Sequence, residues 1–351
     1  MDVPTVGVEE EFLLVDRSGG LRTDAEEVLG RADGLEHELR TAMVETGSAI
    51  CSDLDDVEKE LCTRRTRLAA AAGEVGARVL ATGTHPLDDP EPVPVTRDDR
   101  YQRMAEAFGA TAYDTLVCGC HVHVAVPDRD AGVHVLDRIR PWAAVLLALS
   151  ANSPFWRGQD TSYAAWRPQV WKRWPTAGPT EVFGSLAAYE ELGRQLQDCG
   201  AALDERMLYY DARLSRQYPT VEVRVADVCR LPEDAVLVAG LARALVMTAL
   251  ADDGPPPDVP VALLRAASWS ASRHGTEGPL VDPVTRRAAP AADVLRRLVH
   301  HVTPALEEAG DLLRVTDGIR TVLARGSGAQ AQRAALAAGG WDAVQDAVTV
   351  R

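Results

Sequence analysis

Apolar and polar residues alternate in three short stretches, residues 5–15, 115–126 and 220–228. That twofold repeat and the β-branched content predict strands. Longer segments between them carry apolar residues every three or four positions. Leu54, Val57, Leu61, Leu68, Val75 and Val79 form such a stripe and predict a helix over 54–80. Further helices are predicted over 131–151, 185–208 and 232–251, the last opening on Pro232, whose fixed φ suits a first helical turn. Asp252-Asp253-Gly254-Pro255-Pro256-Pro257 ends that helix. Residues 290–351 are rich in Ala, Leu and Arg and read as helical. The pattern divides the chain into a sheet-and-helix body over 1–254 and a mainly helical extension over 255–351, packed on the same domain. Strands dispersed among helices point to an α+β fold with a largely antiparallel sheet.

Alternation also assigns faces, because successive strand side chains point to opposite sides. In Gly7-Val8-Glu9-Glu10-Glu11-Phe12, Glu9 and Glu11 share one face, and Glu10 shares the other with Val8 and Phe12. Three adjacent acids repel one another. Either they protect an edge strand by charge, or divalent cations neutralise Glu9 and Glu11. In Cys118-Gly119-Cys120-His121-Val122-His123, the two histidines lie on the face opposite the two cysteines. That parity weakens a zinc site built from both residue types and leaves either core histidines or ligands beside small residues. In Val221-Glu222-Val223-Arg224-Val225, Glu222 and Arg224 share a face, the usual pattern of a salt-bridged solvent surface. Taken together the three strands give another picture. Paired in one sheet, they make a common floor of carboxylates, imidazole and guanidinium. Hard oxygen ligands suit Mg²⁺ or Mn²⁺ and tolerate one imidazole, and carboxylates beside an Arg fit phosphate chemistry.

Residues 152–184 hold Trp156, Trp166, Trp171 and Trp174, interleaved with Arg157, Arg167, Lys172 and Arg173. Such a loop either anchors itself in the core or closes over an anionic substrate, since Arg recognises carboxylate and phosphate and Trp faces stack on rings or cover cations.

The net charge of -15, from 37 basic and 52 acidic residues, argues against a nucleic-acid or anionic-membrane binder. No run of about 18 apolar residues exists, so no membrane span is expected. The acidic first residues lack the apolar core of a secretory signal. Six scattered cysteines read as reduced thiols, and a cytoplasmic location is expected. No Walker loop or GxGxxG is present, so neither a P-loop nor a Rossmann site is indicated.

Six ordered stretches resemble a known family: GVEEEFLLVD at 7–16, HELRTAMVE at 37–45, GCHVHVAV at 119–126, NSPFWRGQDTSYAAWR at 152–167, VWKRWPTAGP at 170–179 and VEVRVAD at 221–227. SASRHGTEGPLVDP at 270–283 is a weaker continuation. The chain is similar to the YbdK-type carboxylate–amine ligases of the type 2 glutamate–cysteine ligase group. The resemblance implies a glutamine-synthetase-like fold, a curved antiparallel sheet forming a funnel flanked by helices. It implies ATP and Mg²⁺ as cofactors, with Mn²⁺ also suited. It implies metal ligands at Glu9, Glu11, Glu38, Glu45, His121 and Glu222, and catalytic roles for Arg224, Glu222 and His121. Arg167, Arg173, Trp171, Trp174, Thr176 and His123 are the expected substrate- and ATP-binding residues.

The implied reaction joins a small carboxylate, a glutamate-like amino acid, to a cysteine-like or specialised amine through an acyl phosphate. No enzyme nucleophile is needed, and a homodimer is common for such folds. Met43, the run Thr46-Gly47-Ser48-Ala49 and the run Ala266-Ala267-Ser268-Trp269-Ser270 depart from the usual pattern, leaving the acid and amine open. Two other readings fit the same floor: a metal-dependent amide hydrolase working without ATP, and a silent relative that binds nucleotide or metal.

Overall fold

A computed structural model describes residues 3–88 and 92–351. Its strands are, in chain order, β1 (Val6–Val15), β2 (Leu35–His37), β3 (Met43–Gly47), β4 (Arg78–Leu80), β5 (Gly119–Ala125), β6 (Phe155–Trp156), β7 (Gln159–Asp160), β8 (Ala212–Leu214), β9 (Thr220–Asp227), β10 (Pro279–Val281) and β11 (Ala288–Pro290). Seven of them form one sheet in the order β2-β3-β1-β5-β9-β8, with β4 pairing the far end of β1. Every pairing in it is antiparallel. The expected α+β class and antiparallel sheet are therefore present. The register sets Glu9 opposite His121, Glu11 opposite Glu45, and Glu222 between His123 and Arg213.

Helices cover the apolar face of the sheet. Leu54–Glu74, Arg129–Ile139, Ala143–Ser150 and Pro232–Leu250 supply most of the side chains that pack against Val8, Val122, Val124, Val221 and Val223. Glu10 points into this layer and is fully buried. Arg65 meets it with Nη2 2.6 Å from Oε1 and Nε 2.9 Å from Oε2, and donates further to the carbonyls of Cys229 and Arg230. Cys118 and Cys120 are buried on the apolar side.

Two predicted helices are corrected. The helix over 54–80 stops at Glu74, because Gly76 takes φ 73° and Arg78–Leu80 is drawn off as β4 to pair with β1. Val79 and Leu80 are buried there as strand residues, which mimics a continued helical stripe. The helix over 131–151 is two helices joined by a 3₁₀ turn, Arg140–Trp142, at Pro141, whose nitrogen cannot donate. The segment 185–208 is helical over Leu186–Asp198, capped by Ser185, and 232–251 is helical over Pro232–Leu250.

Beyond residue 260 the helices Val261–His274, Ala291–Ala309, Leu312–Arg325 and Gly328–Val348 follow. The middle two pack against Pro232–Leu250, and the first packs against Ala143–Ser150. Thr349 then bridges to Leu80, and the Val350 N–H donates to Val79. No helix among the described residues is long and apolar enough to cross a membrane.

Candidate active site

The polar face of the sheet is the floor of a cavity of about 310 Å³. Two groups of potential ligands stand on it. Glu11 from β1, Glu45 from β3 and Glu38 from the turn after β2 bring carboxylate oxygens within 4.8 Å of one another. Glu9, His123 and Glu222 do the same across β1, β5 and β9. His121 stands between the groups, with Nδ1 3.8 Å from Glu9 Oε2 and Nε2 3.7 Å from Glu11 Oε1. The sequence reading paired His121 with the acids and gave His123 to the substrate. The structure instead groups His123 with Glu9 and Glu222.

The charges reflect this crowding. Burial and the neighbouring Glu38 push the Glu11 carboxyl up to about 7, against the pull of Arg167, the Gly119 N–H and Arg224. Burial, Glu38 and Glu9 raise Glu45 well above the usual carboxylate range. Burial would also raise Glu9, but contacts with His121 and His123 hold it far below that range. His121 is driven down to about 3 by burial and by Arg224. Burial alone would lower His123, but Glu9 and Glu222 raise it.

Glu222 is likewise held low despite burial, because Arg224 and Arg213 both grip it. Arg213 sends Nε to Oε2 at 2.7 Å and Nη2 to Oε1 at 3.1 Å, and Arg224 pairs with Oε1. Clustered carboxylates plus imidazole form a hard donor set suited to Mg²⁺ or Mn²⁺. The buried Nε2 of His121 has no hydrogen-bond partner, which fits a donor atom free to take such a cation.

A bulge shapes the end of the floor. Cys120 pairs with Ala226 but Val122 pairs with Val223, which puts one extra residue on β9 opposite His121. Simple alternation assigns residue 227 to the apolar face. The extra residue instead sets Asp227 opposite Gly119, where it accepts from the Asn152 N–H at 2.9 Å and the Ser153 hydroxyl at 2.6 Å. Gly119 leaves room for the Arg167 guanidinium and the His121 ring: a Cβ there would collide with Arg167 Nη2 and lie 3.0 Å from His121 Nε2.

The aromatic segment 152–184 divides. Trp171 and Trp174 line the cavity wall and pack around Tyr209. Arg167 is buried beside Gly119, with its guanidinium over the Trp171 ring. Two expected binding residues lie elsewhere. Arg173 is exposed and pairs with Asp114 at 3.2 Å, because the short helix Arg167–Trp171 ends just before it and turns it outward. Thr176 is a structural pin that donates to the Met207 carbonyl and accepts from the Tyr209 N–H at 3.1 Å. Neither lines the cavity.

Arg213 was missed because β8 has three residues, too few to show a period. The signal was the hairpin: Ser215 and Thr220 bracket a turn containing Pro219, and folding back across it brings residue 213 to residue 222.

This architecture is the glutamine-synthetase-like one of ATP-dependent ligases. The chain belongs to glutamate–cysteine ligase family 2, whose profile matches residues 5–348. A Nocardia farcinica protein named "Putative glutamate–cysteine ligase 2-1" is 46% identical over 346 residues, covering 96% of this chain and 90% of its own. A Streptomyces coelicolor protein named "Putative glutamate–cysteine ligase 2" is 46% identical over 344 residues, covering 95% and 94%. Among solved structures, glutamate–cysteine ligase from Francisella tularensis in complex with AMP superposes with TM-score 0.72 at 14% identity, covering 99% of this chain and 88% of that one. A bifunctional glutathione synthetase from Pasteurella multocida gives TM-score 0.71 at 16% identity. It covers 97% of this chain, which spans 51% of that longer one. At these identities the structural likeness shows a shared fold.

Proposed function

We propose that the protein joins a carboxylate to an amine as an amide, using ATP and a divalent cation, Mg²⁺ or Mn²⁺. One observation carries the reading: two carboxylate groups flank His121 on a single sheet face, and Arg224 and Arg213 stand beside them in the same cavity. The names of the relatives favour a glutamate-like acid and a cysteine-like amine, and the AMP-bound neighbour favours an adenine nucleotide.

Glu11, Glu38 and Glu45 would hold one cation, and Glu9, His123 and Glu222 a second, with His121 within reach of either. Cations there supply the positive charge that lets phosphate oxygens and a carboxylate approach each other. The side chains do the rest. Arg224, fixed by Glu222, faces the charge that develops on the transferred phosphoryl group. That transfer turns the acid into an acyl phosphate. The amine then attacks its carbonyl carbon, phosphate leaves with the bonding electrons, and the amine loses a proton. Trp171, Trp174 and Tyr209 keep that side of the cavity apolar, which slows hydrolysis of the activated acid. We place the reaction in the cytoplasm, and a homodimer is the expected assembly.

The test is ADP release by the purified protein with ATP and Mg²⁺ across amino acids and amines, with products weighed by mass spectrometry. A product lighter than acid plus amine by one water, formed in step with ADP, is the expected result. Amide cleavage without ATP would make the protein a hydrolase, and ATP binding without turnover would make it a binder.

A further inference from the structure

The polar face of the sheet continues past the cavity, under the start of the segment 152–184. At its end Asp227 of β9 lies opposite Gly119 of β5, on the face that also bears His121. Arg167 stands over the same glycine, where a Cβ would collide with its Nη2. The Gly119 N–H in turn donates to Glu11 Oε2 at 2.5 Å. One glycine thus gathers a guanidinium, a carboxylate of the floor, and a second carboxylate that belongs to neither group of potential ligands.

Asp227 is fully buried. Its Oδ2 accepts from the Asn152 N–H and the Ser153 hydroxyl, and its Oδ1 has no partner. Ser153 also ties Arg167, whose backbone N–H donates to the hydroxyl at 3.0 Å. Arg167 is 2% exposed. Among the described residues its guanidinium makes one hydrogen bond, from Nη1 to the Arg224 carbonyl at 3.4 Å, and its Nε has none. Although expected among the binding residues, Arg167 does not line the main cavity. It acts instead on Glu11 and Asp227: burial raises both carboxyls, and Arg167 pulls against that rise in each. A buried guanidinium with spare donors is drawn to a carboxylate, because an unpaired charge withdrawn from water is costly. Glu11 and Asp227 therefore compete for it. Closed on Glu11, it would cover the oxygens that a cation needs and set a repelling charge beside that cation. Asp227 supplies the counter-charge that prevents both.

We infer that Asp227 is a positioning residue: it holds the Arg167 guanidinium off Glu11, so that the Glu11 carboxylate stays open to the divalent cation. The inference rests on the ligase reading, through that cation, and gives Arg167 a place beneath the floor instead of against the substrate.

The experiment titrates the full chain with Mn²⁺ alone, at a pH well above 6 so that Asp227 is ionised, and reads free Mn²⁺ by electron paramagnetic resonance. Asp227→Asn keeps an acceptor for Ser153 and Asn152 but loses the charge. It is expected to weaken Mn²⁺ binding at one site by about tenfold. Adding Arg167→Met to it removes the unbalanced guanidinium and is expected to restore most of that affinity. Arg167→Met alone is expected to bind Mn²⁺ at least as tightly as the wild type. If Asp227 only braced the loop, deleting a second buried side chain would not rescue the loss. ADP release by the wild type is assayed alongside.

Wild-type Mn²⁺ affinity in Asp227→Asn would overturn the inference. So would a double variant that binds no tighter than Asp227→Asn, or an Arg167→Met variant that binds more weakly than the wild type. If Asp227→Asn fails to fold, Arg167→Met decides alone. Mn²⁺ binding that follows the expected pattern without ADP release would sink the ligase reading and leave the role of Asp227 standing. ADP release without that pattern would do the reverse.

Discussion

The hydroxyl of Thr220 lies 3.0 Å from Nδ1 of His123, and the far nitrogen of that ring, Nε2, lies 3.2 Å from Glu9. A ligating imidazole is commonly steered through its second nitrogen in this way. Thr220→Val should therefore weaken Mn²⁺ binding by about tenfold, read by electron paramagnetic resonance without nucleotide, while Thr220→Ser should keep it. Wild-type affinity in Thr220→Val would mean that neighbours such as Tyr218, edge-on to the ring, orient it instead.

Glu9→Gln and Glu222→Gln should each remove most ATP turnover, yet they should differ in stability. Glu9 touches only histidines, whereas Glu222 compensates the buried guanidinium of Arg224 and the partly buried one of Arg213. Removing one partner of a buried ion pair costs about 3–5 kcal/mol. Urea melts should show that loss for Glu222→Gln and little for Glu9→Gln. Full turnover in both variants would exclude the floor from the chemistry.

Glu11, Glu38 and Glu45 repel one another until a cation joins them. Glu45→Gln should then stabilise the metal-free protein by about 1 kcal/mol, or roughly 2 °C for a chain of this size. It should also abolish the rise in melting temperature that Mg²⁺ gives the wild type. A lower melting temperature without metal would show that Glu45 is held by something other than its acidic neighbours.

Asp227 gives the pH dependence. Burial, only partly opposed by Arg167 and by its bonds to Ser153 and Asn152, raises its carboxyl from 3.8 to about 6. The folded state thus favours the neutral acid. The associated stability is complete below pH 3.8 and disappears as pH rises through about 6. Two units correspond to about 3 kcal/mol. Asp227→Asn should remove this dependence, so the variant gains on the wild type between those pH values and runs parallel to it above them. Parallel curves throughout would mean that Asp227 folds as a carboxylate.

Much of the floor was legible because strand parity is a local property. Counting by twos put Glu9, Glu11, His121, His123, Glu222 and Arg224 on one side and both cysteines of residues 118–120 on the other, which is how the sheet places them. What stayed hidden depends on pairing. The extra residue on β9 that redirects Asp227 exists only in register with β5. Arg213 belongs to an edge strand too short for a pattern. Arg173 and Thr176 share their neighbours' composition, and only the turn after Trp171 decides that one faces solvent and the other pins a backbone.

The buried pair of Glu10 and Arg65 has a temporal side. The carbonyl of Cys229 that completes the guanidinium's coordination lies 164 residues after it, and β5, which covers one edge of β1, is made long after β1 itself. During synthesis the acidic strand therefore leaves the ribosome without the groups that neutralise its inward carboxylate or pair its flank. The segment made among the first is finished among the last: termination before residue 119 leaves one edge of β1 unpaired, and termination before residue 229 leaves the Arg65 guanidinium without the Cys229 and Arg230 carbonyls, a product suited to degradation rather than to partial activity.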